Sequence, residues 1–183
     1  MDRRVKYTKK VIKEALIQLL QEKELNKITV SELCEKSDIN RATFYRYYMD
    51  IYDLLEKLEQ ELIDELKGII PNYSNYSIRE VIKEFLNVFL ENKKLVKIIF
   101  GNRQNIYYLN DFFNYIYEKF KDKWFENIDM NEDDKSLAAV YAFNGTLGVI
   151  NYWIQNDFEE EVDLISSVIE KICYNGLSWY KNK

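Results

Sequence analysis

Histidine does not occur anywhere in the 183-residue chain. The usual general base and the commonest metal ligand are therefore both missing. Cys34 and Cys173 stand far apart and form no C-x-x-C pair, so neither a disulfide framework nor a cysteine metal site is indicated. Both read as small buried hydrophobes. Paired carboxylates, Asp133 with Asp134 and the run Glu159 to Glu161, fall at expected helix starts, where they offset the helix dipole. There is no G-x-G-x-x-G, no Walker-type phosphate loop and no G-x-S-x-G. The expectation is a protein that is not an enzyme, with no catalytic residue, no metal and no cofactor; a helical enzyme or scaffold is the remote alternative.

What remains is the chemistry of binding. The stretch "NRATFYRYYMDIYDLLE", Asn40 to Glu56, packs five aromatic rings and two arginines together. An arginine offers a bidentate fork to guanine, Ala and the Thr methyl can touch a thymine methyl, and a Thr or Tyr hydroxyl can reach a phosphate. Arg41, Ala42, Thr43, Tyr45 and Arg46 are the candidate nucleic-acid contacts. Tyr47 faces either the nucleic acid or a small core, and Phe44 and Tyr48 anchor the segment.

Charge supports that division. Residues 1–13 hold six cations (Arg3, Arg4, Lys6, Lys9, Lys10, Lys13) against Asp2. Residues 1–55 carry eleven Lys and Arg against nine Asp and Glu, whereas the remainder carries fifteen against twenty-two. A basic start on an acidic chain points the first quarter, Lys9 and Lys10 included, at a polyanion; a solvated, frayed terminus is the other reading. The opening "MDRRVKYTKK" has no apolar run behind it that would serve as a signal core or cross a bilayer, so a cytoplasmic protein with no membrane partner is expected.

The elements that must position these residues are helical. One Pro, five Gly, 47% apolar and 31% charged residues predict an all-α chain, and the periodicity yields nine helices and no strand pattern. The first spans about Thr8 to Glu24, with Val11, Ile12, Ala15, Leu16, Leu19 and Leu20 on one stripe. Thr29 and Glu32 form a T-x-x-E capping box for Val30 to Ser37, Asn40 caps Arg41 to Tyr47, and Asp50 caps Ile51 to Lys67. Pro71 and "NYSNYS" end this part. Two short helices joined by the tight Ser37–Asn40 connection, behind a longer one, are the sequence image of a helix-turn-helix, whose second helix enters the major groove.

The segment "ITVSELCEKSDINRATFYRYYMDIYDLL" resembles the DNA-binding domain of the TetR (tetracycline-repressor-like) family of regulators, over roughly residues 8–56. The resemblance implies a three-helix DNA-binding domain at 1–50, joined by a long helix to a helical ligand-binding and dimerisation domain at 51–183. It implies that Thr29 meets a phosphate, that Arg41, Ala42 and Thr43 face bases, and that Tyr45 touches the DNA backbone. Where the family often has Lys after the fourth helix's cap, this chain has Ile51; where it often has His, this chain has Tyr47. The function implied is a repressor that binds a palindromic double-stranded operator as a homodimer and is released by a small apolar effector. An activator, or a regulator controlled by a protein partner, is the alternative.

Downstream, helices are expected at Ile78 to Glu91, Lys94 to Phe100, Asn105 to Glu126, Glu132 to Gln155 and Glu160 to Lys181, with Ser77 and Glu80 as a second capping box. Ile165, Ile169, Ile172, Cys173 and Gly176 form a stripe, and Gly145 with Gly148 lets a facing helix come close. In TetR-like proteins the corresponding final helices form a four-helix bundle between subunits, so these residues are the expected dimer interface. Tyr107, Tyr108, Phe112, Tyr115 and Trp124 are the candidate lining of an apolar effector cavity, with ordinary core as the other reading.

Overall fold

Residues 1–67 contain neither Pro nor Gly, so every break in the helical run there must be made by capping and turn residues. The computed structural model describes residues 3–70, 77–101, 106–125 and 128–181; side chains are described in these ranges except at 101–113, 123 and 174–181. Among the described residues there is no strand. The chain divides into two compact units, Met1–Leu62 and Ile63–Lys183.

In the first unit, α1 (Arg3–Glu22) buries Ile12, Ala15, Leu16, Ile17 and Leu19 along one side. It starts five residues before the expected Thr8. The Thr8 hydroxyl donates to the Arg4 carbonyl at 2.9 Å, the i−4 bond of a threonine inside a helix. The basic start is thus helix rather than a frayed arm. A 3-10 turn, Leu25–Lys27, intervenes before α2 (Val30–Lys36). Thr29 caps α2, its side chain accepting from the Glu32 amide at 3.3 Å. The Glu32 carboxylate instead takes the Lys23 ammonium (2.6 Å to Oε2), which ties α2 to the end of α1, so the expected reciprocal box is half made.

The connection to α3 (Arg41–Tyr45) is a Schellman turn: the Ile39 amide donates to Cys34 O (3.0 Å) and the Asp38 amide to Glu35 O (3.3 Å). Asp38 occupies the left-handed position usually given to glycine, at φ 52°. An Asp tolerates it because its short polar side chain hydrogen-bonds locally. The helix α4 (Ile51–Ile69) is capped by Asp50, which accepts from the Asp53 amide at 2.8 Å, while Asp53 accepts from the Met49 amide at 2.8 Å.

The second unit contains α5 (Ile78–Glu91), α6 (Lys93–Gly101), α7 (Ile106–Trp124), α8 (Glu132–Gln155) and α9 (Val162–Lys181). Here the Ser77–Glu80 capping box is complete. Asn131 caps α8. A second Schellman turn closes α8, with Asp157 and Phe158 both at positive φ (59° and 61°) and the Phe158 ring edge-on to Trp153 at 4.9 Å. Trp153 is fully buried and donates to the Glu160 carbonyl at 2.8 Å. Helix α9 packs along α5 and α8, and α6 along α8. The segment from Pro71 to Tyr76, where the sequence marks a break, lies outside the described residues.

Candidate nucleic-acid interface

Five residues make a helix of little more than one turn, so α3 depends on its ends and its anchors. At the start, Asn40 Oδ1 accepts from the Thr43 amide (2.7 Å) and from the Thr43 hydroxyl (2.9 Å). The same amide also reaches the Asn40 carbonyl at 3.0 Å, so the cap adds a second and shorter acceptor for an N-terminal amide. It also engages the Thr43 hydroxyl hydrogen, so the methyl and the accepting side of the oxygen are the parts left for a base. In the core, Phe44 is fully buried and Tyr48 nearly so, their centroids 5.6 Å apart. Burial pushes the Tyr48 phenol up to about 12, with the charges of Glu61 and Asp53 adding to the shift.

The rest of α3 then has to point outward. Arg41, Ala42, Tyr45 and Arg46 are exposed, Tyr45 at 57% with its ring edge-on to Phe44 at 5.5 Å. Thr43 and Tyr47 are half-buried. The helix stops at Tyr45 rather than at Tyr47: the Tyr47 and Tyr48 amides both turn onto the Phe44 carbonyl, at 2.9 and 3.1 Å. That turn seats Tyr48 in the core and brings the Tyr47 carbonyl to Lys57 of α4, which donates to it at 3.1 Å. Lys57 also bonds Asp53 at 2.9 Å and lies 5.4 Å from the Tyr48 ring centroid. The Lys57 bond and the Met49 amide hold the Asp53 carboxyl below its ordinary range. Periodicity alone had no signal for Lys57, because its partner is a backbone carbonyl ten residues back.

Of the other expected contacts, Thr29 is exposed at the start of α2. Lys9 is half-buried and 3.8 Å from Glu61, and Lys10 is exposed, 3.8 Å from Glu14. Exposed pairs of this length contribute little. Ile51, in the place of the family's lysine, is buried, while its neighbour Tyr52 is exposed.

The expected dimer stripe divides in two. Ile165 and Ile169 are buried within the single chain, at 6% and 3% exposure, because that side of α9 faces the chain's own helices. Within the single chain they offer little surface to a partner. Ile172 is exposed and Cys173 half-buried. On α8, Gly145 and Gly148 face open space, with nothing within 4 Å of an added Cβ. They lie on one helical stripe with the exposed Leu137, Tyr141 and Tyr152, which periodicity missed because α8 carries apolar residues around its whole circumference. Gly176 lies on α9 and Tyr107, Tyr108 and Phe112 on α7, at positions where side chains lie outside the described residues. Tyr115 packs on the cluster of Ile70, Val81 and Phe120. Trp124 stacks on Phe120 with centroids 6.1 Å apart and bridges that cluster to Phe125, Ile128 and Met130.

A helix-turn-helix with an outward-facing second helix, followed by an all-helical unit, defines the class of helix-turn-helix regulators. Residues 76–175 match the TetR-type family described as "Transcriptional regulator C-terminal region". The chain belongs to the TetR family of transcriptional regulators. It is 21% identical over 180 residues to YxbF of Bacillus subtilis (strain 168), an uncharacterised HTH-type transcriptional regulator, covering 94% of this chain and 46% of that protein. The chain thus spans about half the length of that relative. Among solved structures, the dihydroxyacetone kinase operon activator DhaS aligns at TM-score 0.70 and 20% identity, covering 94% of this chain and 97% of that one. The regulator FadR of Bacillus subtilis, in complex with stearoyl-CoA, aligns at TM-score 0.70 and 16% identity, covering 91% and 97%. These relatives are regulators, not enzymes.

Proposed function

We propose that the protein binds a near-palindromic DNA operator as a homodimer, represses transcription there, and is released by an apolar small molecule. The observation that carries this reading is the division of α3: Phe44 and the adjoining Tyr48 are buried, while Arg41, Ala42, Tyr45 and Arg46 are exposed on a capped helix. Such a helix reads bases with its N-terminal side chains, Arg41 forking a guanine, Ala42 and the Thr43 methyl meeting apolar base edges, and Tyr45 and Thr29 touching phosphates. Lys9, Lys10 and Arg46 add sequence-independent attraction.

Dimerisation uses the exposed stripe Leu137, Tyr141, Gly145, Gly148 and Tyr152 of α8, with Leu164 and Ile172 of α9. Glycines leave room for a partner helix to approach. A symmetric dimer presents two α3 helices to a two-fold operator, so operator affinity falls when the dimer does.

Control follows from the elbow between α3 and α4. Lys57 and Asp53 fasten the end of the recognition segment to α4, so a tilt of α4 re-aims α3. An effector held among the aromatic side chains of the second unit has to prefer the tilted state, and a hundredfold drop in operator affinity needs about 2.7 kcal/mol of coupling. An effector with an apolar part is supported by the aromatic composition of α7 and by the stearoyl chain of the stearoyl-CoA in complex with FadR. DhaS is described as an operon activator, which favours activation as the second reading; a reporter fused to the bound promoter separates the two by the sign of its response.

The test is selection of an operator from a random DNA pool by the intact chain, then titration of Arg41→Ala. A loss of about 1 to 3 kcal/mol on the operator, with one base pair per half-site relaxed, supports the reading. Equal loss on operator and random DNA overturns it.

A further inference from the structure

Arg41 opens α3 with a long, exposed side chain, yet it is not free. Its Nη2 donates to the hydroxyl of Ser31, the second residue of α2, at 2.7 Å. Among the described residues it makes no ion pair with a carboxylate. The guanidinium is therefore tethered in direction while its charge stays uncompensated. The bond uses one of five N–H donors, and the remaining four include the pair that a guanine edge requires. The Ser31 oxygen accepts from Arg41, so its own hydrogen is left to donate outward.

Nothing in the helix-turn-helix fold requires this tether. Ser31 is exposed and takes no part in the Thr29 cap, and alanine would suit its place in α2 equally well. The Arg41 charge also reaches Cys34, one turn further along α2, whose thiol is pushed up by burial and drawn partly back by that charge.

We propose that Ser31 is a positioning residue for base reading, holding the Arg41 guanidinium at a fixed angle across the face formed by the starts of α2 and α3. The proposal rests on the reading of Arg41 as a base contact. A side chain already held in place loses less freedom on binding, and it favours one base-pair position over its neighbours.

The experiment uses the full chain as wild type, Ser31→Ala, Ser31→Thr, Arg41→Ala and the Ser31→Ala/Arg41→Ala double variant. Affinities are measured by fluorescence anisotropy for the selected operator, for operators with single base-pair changes, and for random DNA; circular dichroism checks the fold. Ser31→Ala is expected to lose about three- to tenfold of the discrimination at the base pair that Arg41→Ala erases, the range of one hydrogen bond. Random DNA binding stays within about twofold, since phosphate attraction is untouched. Ser31→Thr keeps the hydroxyl and retains discrimination, and the double variant matches Arg41→Ala alone. Losses that add in the double variant would overturn the proposal, giving Ser31 a contact of its own. Tighter operator binding by Ser31→Ala would also overturn it, because the tether would then hold Arg41 away from the bases. If Arg41→Ala itself leaves discrimination intact, the base-reading role has failed; if Arg41→Ala erases discrimination and Ser31→Ala does not, only the positioning role has.

Discussion

Replacing Asn40 by alanine removes the one oxygen that accepts from both the Thr43 amide (2.7 Å) and the Thr43 hydroxyl (2.9 Å). Loss of such a cap costs about 1 kcal/mol, within a range of roughly 0.5 to 2. In a long helix that cost is shared among many turns, but α3 has five residues, so it falls on the recognition segment. The buried Phe44 and Tyr48 keep the unit folded, and the weakness appears as local opening of α3. If operator binding requires α3 to be formed, affinity falls in proportion to the fraction of chains in which α3 is closed. A cost of about 1 kcal/mol then gives at most about a fivefold loss, reached when the variant's α3 is mostly open. Random DNA, held by phosphate attraction, should change by less than about twofold. Asn40→Ser retains a capping oxygen and should stay within about twofold of wild type on both DNAs. Urea unfolding gives the stability change, hydrogen exchange at the Thr43 and Phe44 amides gives the local opening, and anisotropy gives the affinities. Exchange showing α3 open in half or more of the Asn40→Ala molecules, with unchanged operator affinity, would refute the requirement for a preformed helix. A serine variant as impaired as the alanine would show instead that Asn40 contacts the DNA itself.

Neutralising Lys9 and Lys10 to glutamine should weaken operator and random DNA alike and flatten the slope of log affinity against log salt by about 0.9 for each phosphate that is no longer neutralised; an unchanged slope would leave both lysines with Glu61 and Glu14 alone. Tyr141→Glu, at a position 74% exposed, should give a folded monomer by sedimentation with poor operator binding, whereas Ile169→Glu should unfold the second unit, since it buries a charge without a partner. Survival of the dimer in Tyr141→Glu would move the interface elsewhere. Tyr48 sets an alkaline limit: its folded phenol titrates at about 12 against 10 for an ordinary tyrosine. Below pH 10 neither state ionises; between 10 and 12 only the unfolded chain does, so stability falls as pH rises by up to about 3 kcal/mol from this residue. The difference between wild type and Tyr48→Phe in urea midpoints from pH 9 to 12 measures it, and parallel curves would contradict the burial argument.

The helix-turn-helix was legible because its signals are local. Thr29, Asn40 and Asp50 cap within three residues of themselves, and Phe44 falls on the apolar period, so α2, α3 and α4 start where the residues say they should. The same holds for α5 and α8, whose caps Ser77 and Asn131 act on the residues just after them. The start of α1 was less legible: it lies at Arg3, five residues before Thr8, whose hydroxyl bonds back to the Arg4 carbonyl inside the helix. The stripe on α9 was real, but a period says that a face is apolar and not which neighbour covers it. Packing against the chain's own helices buried Ile165 and Ile169, and the exposed face became that of Tyr141, Gly145 and Gly148. Likewise the tethers that aim the site each join residues ten apart, Ser31 of α2 to Arg41 of α3 and Lys57 of α4 to the Tyr47 carbonyl in the turn after α3. Their bonds depend on how those elements pack together, which burial of Leu33, Phe44 and Tyr48 accompanies and no local pattern encodes.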